Sequence, residues 1–97
     1  MADLRFEWDS QKATANMRKH AVSFDEAVSV FSDEHALLIA DPDHSEAEDR
    51  IILLGLSADL RTLVVSHCYR QEEVIRIFSA RRATKKEREQ YNRRWMK

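Results

Sequence analysis

Three apolar runs follow one another with little chain between them: RIILLGLS at 50–57, TLVVSHCYR at 62–70 and VIRIFSAR at 74–81. The links, built on SADLR and QEE, are short, and short links between consecutive strands favour an antiparallel meander. The first run is apolar on both faces and reads as a central strand. ALLIA at 36–40 supplies a short buried strand before it, and LRFEWD at 4–9 alternates Phe6 and Trp8 with polar neighbours as a first strand.

Helix signals fill the rest. Asp9 or Ser10 caps a helix over about 10–20, where i, i+4, i+7 spacing puts Ala13, Met17 and His20 on one face. In VSFDEA, Ser23 and Glu26 make a capping box, with Val22 and Ala27 at the staple positions. Phe24, Ala27, Val28 and Phe31 form the buried face of this second helix, which ends near Ser32. Thr84 and Glu87 form another box, opening a helix over about 84–95. Its apolar stripe, Tyr91 and Trp95, is narrow, which predicts a helix lying across an edge or end of the sheet. These two aromatics read as core residues before they read as stacking platforms. The order β-α-α-β-β-β-β-α predicts an α+β fold, with two N-terminal helices on one face of an antiparallel sheet and a polar final helix. With one Gly and one Pro the chain has no linker, so residues 1–97 are expected to form one domain.

At 43% hydrophobic and 34% charged, the chain can build one core under a solvated surface. Its longest apolar runs, ALLIA and IILLGL, fall far short of the roughly 20 residues of a membrane span. The absence of a leader-like N-terminus and the single cysteine, Cys68, predict a cytoplasmic protein. The net charge of −1 conceals a polarity. Residues 1–48 carry 11 Asp/Glu against 4 Lys/Arg, and residues 49–97 carry 6 against 12. A basic face for a polyanion or an acidic partner is one reading; solvation of a C-terminal helix is the other.

The arginines sharpen this choice. Arg50 opens the central strand, Arg70 ends the next, Arg76 and Arg81 lie on the last, and Arg82 follows. In a meander Arg50, Arg70 and Arg76 come to one end of the sheet and Arg81 lies toward the other. Strict alternation puts Arg76 and Arg81 on opposite faces; a bulge at Ser79–Ala80 would unite them, but the sequence does not show one. Clustered guanidinium groups suit phosphate and would stabilise the charge of a phosphorane as RNA is cleaved. The competing reading is ion pairing with the N-terminal carboxylates. His67, near Arg70, is a candidate proton carrier or else a histidine bonded to backbone. His20 is a candidate RNA contact or a helix C-terminal cation, and Lys19 a phosphate contact or a solvated side chain.

Other chemistries fail on spacing. DPDHSEAEDRII has Glu46 and Ile52 where a calcium loop needs Gly and Glu, so no metal site is expected. Cys68 and His67, adjacent on a strand, point to opposite faces and cannot act as a nucleophile pair. No glycine-rich phosphate loop or dinucleotide fingerprint is present, and no cofactor is expected.

Taken together, FEWDSQKATANMRKHAVSFDEAVSVF, DPDHSEAEDR, LVVSHCYR and VIRIFSARRATKKEREQY resemble the BrnT family of bacterial type II toxins, from Phe6 to Tyr91. The blocks KH-x-VSF-x-EA and RI-x-SAR-x-AT-xx-E carry the likeness. The resemblance implies a RelE-like fold and a metal-independent ribonuclease that blocks translation. It also implies neutralisation by a BrnA-type antitoxin in a heterotetramer that binds operator DNA only through the antitoxin. Arg50, Arg70, Arg76 and Arg81 match the family's basic sheet positions, and Lys19 and His20 its KH pair. Ala21 stands where the family usually has Gly, and Phe78 where it usually has a smaller aliphatic residue. A nucleic-acid-binding module without catalysis, or a basic face that docks an acidic chain, are the alternatives.

Overall fold

A computed structural model describes residues 4–41, 50–71 and 73–93. Most of the acidic loop and Trp95 lie outside the described residues. Among the described residues, five strands form one sheet and three helices pack around it. In chain order they are β1 (Arg5–Glu7), α1 (Ser10–His20), α2 (Phe24–Val30), β2 (Leu37–Ala40), β3 (Ile51–Leu56), β4 (Thr62–Gln71), β5 (Val74–Arg82) and α3 (Lys85–Arg93).

The sheet order is β1-β5-β4-β3-β2. β2 to β5 form the antiparallel meander that the short links demand, but β1 joins β5 in parallel, with Phe6 opposite Ile75. The sheet is therefore mixed. A parallel neighbour needs a long return connection, and everything from α1 to β4 supplies it.

β3 and β4 are apolar on both faces because both faces are covered. On one face Leu53, Leu63, Val65, Ile77 and Ala80 pack beneath Val22, Phe24, Ala27 and Val30. Phe6 meets Phe31, and Trp8 meets Phe24, edge to face at centroid distances of 5.1 and 5.7 Å. On the other face Leu54 and Val64 pack with Tyr91 of α3. This final helix thus lies over a sheet face rather than at an edge, and its narrow stripe buries Tyr91 deeply. The Tyr91 hydroxyl donates to Asp33 Oδ2 at 2.6 Å, and the same oxygen accepts the Leu56 N–H at 2.8 Å. Gly55 sits at a close approach: a Cβ there would lie 2.9 Å from both Ala36 Cβ and Val30 Cγ1.

The caps act as their sequences indicate. Asp9 accepts from the N–H groups of Gln11 and Lys12, and Ser23 Oγ from Glu26 N. The Ser23 box is only half formed, because the Glu26 carboxylate turns instead to Arg61 and the Ser57 hydroxyl, tying α2 to the β3–β4 turn. The Thr84 box is complete: Thr84 N donates to Glu87 Oε1 at 2.8 Å, and Glu87 N to Thr84 Oγ1 at 3.2 Å.

α1 departs from the expected face. Met17 is 50% exposed, and Asn16 is buried in its stead. β1 pairs with β5 only from Val74 to Arg76, so the outer edge of β5 beyond Arg76 needs other partners. Asn16 provides them at Ala80: its Nδ2 donates to Ala80 O at 2.8 Å, and its Oδ1 accepts Ala80 N–H at 3.1 Å. Nδ2 also donates to Val22 O at 2.8 Å, fixing the turn after α1.

That turn bends through Ala21, whose φ of 57° lies in the left-handed region that favours glycine. The left-handed turn forms despite the Cβ, with Ala21 N–H bonded to Met17 O at 2.9 Å. Removing the Cβ relieves a clash of about 1–2 kcal/mol and returns part of it as unfolded-chain entropy. Ala21→Gly is therefore expected to stabilise the protein by about 0.5–1 kcal/mol, read as a rise of a few degrees in Tm. A fall in Tm would show that the turn is not strained.

Candidate active site

The register between β4 and β5 slips once between Ser66 and His67: Ser66 pairs with Ser79, and His67 with Ile77. Phe78 is the extra residue, a β-bulge that resets the alternation of β5. Strict alternation, which would put Arg76 and Arg81 on opposite faces, is thereby broken at a place that the sequence did not show. Arg76, opposite Cys68, and Arg81, opposite Val64, come to the same face of the sheet.

On that face, beside α3, is a cavity of about 340 Å³ lined by Arg50, Arg81, Lys12, Ser66, Ser79 and Phe78, with Asp41, Ile52 and Val64. Arg50 lays its guanidinium over the Phe78 ring, Cζ 4.0 Å from the centroid, and Lys12 Nζ lies 5.4 Å from the same centroid. Both are cation–π distances. Arg81 meets Glu87 fork to fork, at 2.8 and 2.9 Å. The Arg81 guanidinium, reinforced by the Thr84 cap and opposed by partial burial, holds the Glu87 carboxyl down to about 2. Glu87 therefore stays ionised near neutral pH and acts as a bracket that orients Arg81. The bracket does not use all the donors of a guanidinium, which keeps N–H groups for a ligand.

Arg70 and Arg76 line a different cavity, at the β1 end of the sheet, together with Arg5 and Glu7. Arg82 lies across the sheet from Arg81: its ladder partner Leu63 belongs to the core under α2, where Arg82 adds to the positive potential around Glu26. Lys19 and His20 occupy the last turn of α1 and line neither cavity. Each thus has a second explanation as a cation at a helix C-terminus.

His67 sits on the helix-covered face, 0% exposed, edge-on to Phe31 and Tyr69 at 4.9 and 5.6 Å. Its Nδ1 is 3.3 Å from Val65 O, and Nε2 has no hydrogen-bond partner among the described residues. The sheet separates it from the arginine-lined cavity. Burial pushes its pKa below 6.5, outweighing the bond to Val65, so the ring is neutral in the fold. The unfolded chain binds a proton first, and stability present above about pH 6.5 is lost as pH falls toward the folded value. His67→Phe is expected to flatten this part of the stability–pH curve, measured by urea unfolding between about pH 7 and pH 5. An unchanged slope would mean that His67 is not the group titrating.

Two groups of the arginine-lined cavity, Lys12 and Phe78, escaped the sequence reading, as did Arg5 in the other. Phe78 had left a signal as a bulky aromatic among arginines. Lys12 and Arg5 are single cations whose placement depends on α1 and β1 reaching β5.

Comparison with known proteins agrees with this architecture. Residues 8–87 match the family described as "Ribonuclease toxin, BrnT, of type II toxin-antitoxin system". Among solved structures, the Brucella abortus ribonuclease toxin BrnT aligns with a TM-score of 0.67 and 23% identity, over 84% of this chain and 99% of that one. A comparison with curated proteins finds no match. The fold is thus that of a small α+β toxin with a cation-lined sheet face. The chain belongs to the BrnT family of ribonuclease toxins of type II toxin–antitoxin systems. Among the described residues no helix is long and apolar enough to cross a membrane.

Proposed function

We propose that the chain is an endoribonuclease that needs no metal, blocks translation by cutting RNA, and places the scissile phosphate in the cavity of Arg50 and Arg81. The observation that carries this reading is the convergence, through the bulge at Phe78, of two guanidinium groups from opposite ends of the meander on one cavity. The ribose 2′-oxygen attacks phosphorus, and the bond from phosphorus to the 5′-oxygen breaks. A cyclic phosphate and a free 5′-hydroxyl result. The 2′-OH proton leaves to solvent or to the Asp41 carboxylate, which lines the cavity, and a proton from solvent completes the leaving hydroxyl. Arg50 and Arg81 neutralise the extra negative charge of the phosphorane, a role that needs fixed donors rather than a metal.

The family implies an antitoxin, and a BrnA-type antitoxin is its proposed form here, in a heterotetramer that reaches operator DNA through the antitoxin. Induced expression should arrest growth with RNA breakdown, and co-expression of a BrnA-type antitoxin should relieve both. Purified protein should cleave RNA in EDTA. Activity lost in EDTA and restored by a divalent cation would refute metal independence. Normal growth with intact RNA from folded protein would leave a binding module.

A further inference from the structure

Ser66 and Ser79 stand opposite one another in the β4–β5 ladder, and Ile52 pairs with Ser66 from the β3 side. All three line the cavity of Arg50 and Arg81. Arg50 precedes Ile52 by two residues, and Arg81 follows Ser79 by two. Residues two apart on a strand share a face. β3 and β5 run the same way, since each is antiparallel to β4. The serine row therefore lies between the two arginines, each starting about 7 Å from it along its own strand, one on either side.

This face of the sheet is apolar where α3 covers it, at Leu54 and Val64, and turns to hydroxyls one row further on. Both serines are half-buried, and among the described residues neither hydroxyl makes a hydrogen bond. A hydroxyl turns to suit its partner and can donate one hydrogen bond. Facing residues of an antiparallel pair have Cβ atoms about 5 Å apart, so both hydroxyls reach one small polar group. The flanking cations are held from outside the row. Phe78, next to Ser79, carries the Arg50 guanidinium 4.0 Å from its ring centroid, and Glu87 grips Arg81 at 2.8 and 2.9 Å. The serines thus add donors at the centre without adding to the repulsion between cations.

We propose that the Ser66 and Ser79 hydroxyls form the floor of a phosphodiester seat, donating to the non-bridging oxygens of an RNA backbone phosphate between Arg50 and Arg81. This deepens the ribonuclease reading and rests on it for naming that phosphate as the scissile one. The non-bridging oxygens gain charge as the phosphorane forms, so both hydrogen bonds strengthen in the transition state. Asp41 borders the same cavity, where the ribonuclease reading gives its carboxylate the 2′-OH proton. Contacts to phosphate oxygens carry no base preference, so the serines fix the position of the strand rather than its sequence.

The bland alternative is that the serines are small and merely leave room. Alanine keeps the room and removes the donors, so Ser66→Ala/Ser79→Ala separates the two. The probe is a 2′-O-methyl dinucleotide, which has a single phosphodiester and cannot be cut, titrated into the full chain by NMR. The double variant should melt like the wild type and lose about ten-fold in affinity, because hydrogen bonds to a charged group are among the stronger ones. The same dinucleotide with one non-bridging oxygen replaced by sulfur keeps its charge but offers a weak acceptor. Wild-type protein should prefer the oxygen form, and the double variant should lose that preference, which a change of shape would not produce. Ser66→Thr/Ser79→Thr retains both hydroxyls and should keep the preference. A folded alanine variant with unchanged affinity and unchanged preference would overturn the seat, as would a wild-type protein that does not bind the dinucleotide. RNA cleavage by the wild-type protein, assayed beside the titration, tells the two readings apart. Binding through the serines without cleavage of any RNA would strike the ribonuclease reading and leave the phosphate seat standing. Cleavage with binding that ignores both serines would strike the seat alone.

Discussion

Asn16→Leu is expected to lower the stability of the fold by about 3–5 kcal/mol, although leucine has a similar volume and is the more apolar side chain. Asn16 satisfies three buried backbone groups, the carbonyls of Val22 and Ala80 and the N–H of Ala80. Leucine leaves all of them dry and unpaired, at about 1–3 kcal/mol each before relaxation. Against a total stability on the order of 5–15 kcal/mol, such a loss is a large part of the whole. Thermal unfolding should show a fall of about 15 °C or more. Asn16→Asp separates the two roles of the side chain. A carboxylate still accepts from Ala80 N–H but faces two carbonyl oxygens with no proton to give, so it should do no better than leucine near neutral pH. A leucine variant with the wild-type Tm would show that water or a shift of α1 can serve the edge of β5, and that Asn16 is incidental.

Asn16 also shows where reading the chain stops being sufficient. Helix caps depend on contacts within a few residues, and Asp9, Ser23 and Thr84 cap where local chemistry indicates. The meander is legible because its links are short. Apolarity alone places the buried face of α1 on Met17, whereas the fold chose a polar residue for the unpaired edge of β5. That edge exists only because β1 is short and parallel, and neither property is written near Asn16. The bulge at Phe78 depends on matching two strands at once, so the sequence showed neither its presence nor its place. His67 went astray for a related reason. β4 is apolar on both faces, and nothing in TLVVSHCYR says which of them α2 covers. The candidate site was legible as a set of arginines, and its division into two cavities followed from register and from β1.

Arg81→Ala is expected to reduce RNA cleavage by about 10²–10³-fold while leaving the protein folded. The two halves of this expectation come from different features of the same side chain. Catalytic loss follows from withdrawing a fixed donor from a cavity where charge builds up on phosphorus. Structural loss should be small, because Arg81 and Glu87 are partly exposed, and ion pairs of that kind contribute about 0–1 kcal/mol. Glu87 loses its bracket partner but keeps the Thr84 N–H, so α3 remains capped. Arg81→Lys retains charge without the fork and should recover part of the rate. Glu87→Gln leaves the Arg81 guanidinium in place but weakens its orientation, so it should act on rate more mildly than Arg81→Ala. Glu87 titrates only near about 2, so the pH–rate profile of the wild-type enzyme between about pH 5 and 9 should owe nothing to it. Single-turnover cleavage beside thermal unfolding decides the matter. An Arg81→Ala protein that melts normally and cuts at the wild-type rate would move the scissile phosphate out of this cavity, and Arg70 and Arg76 would then become the residues to replace.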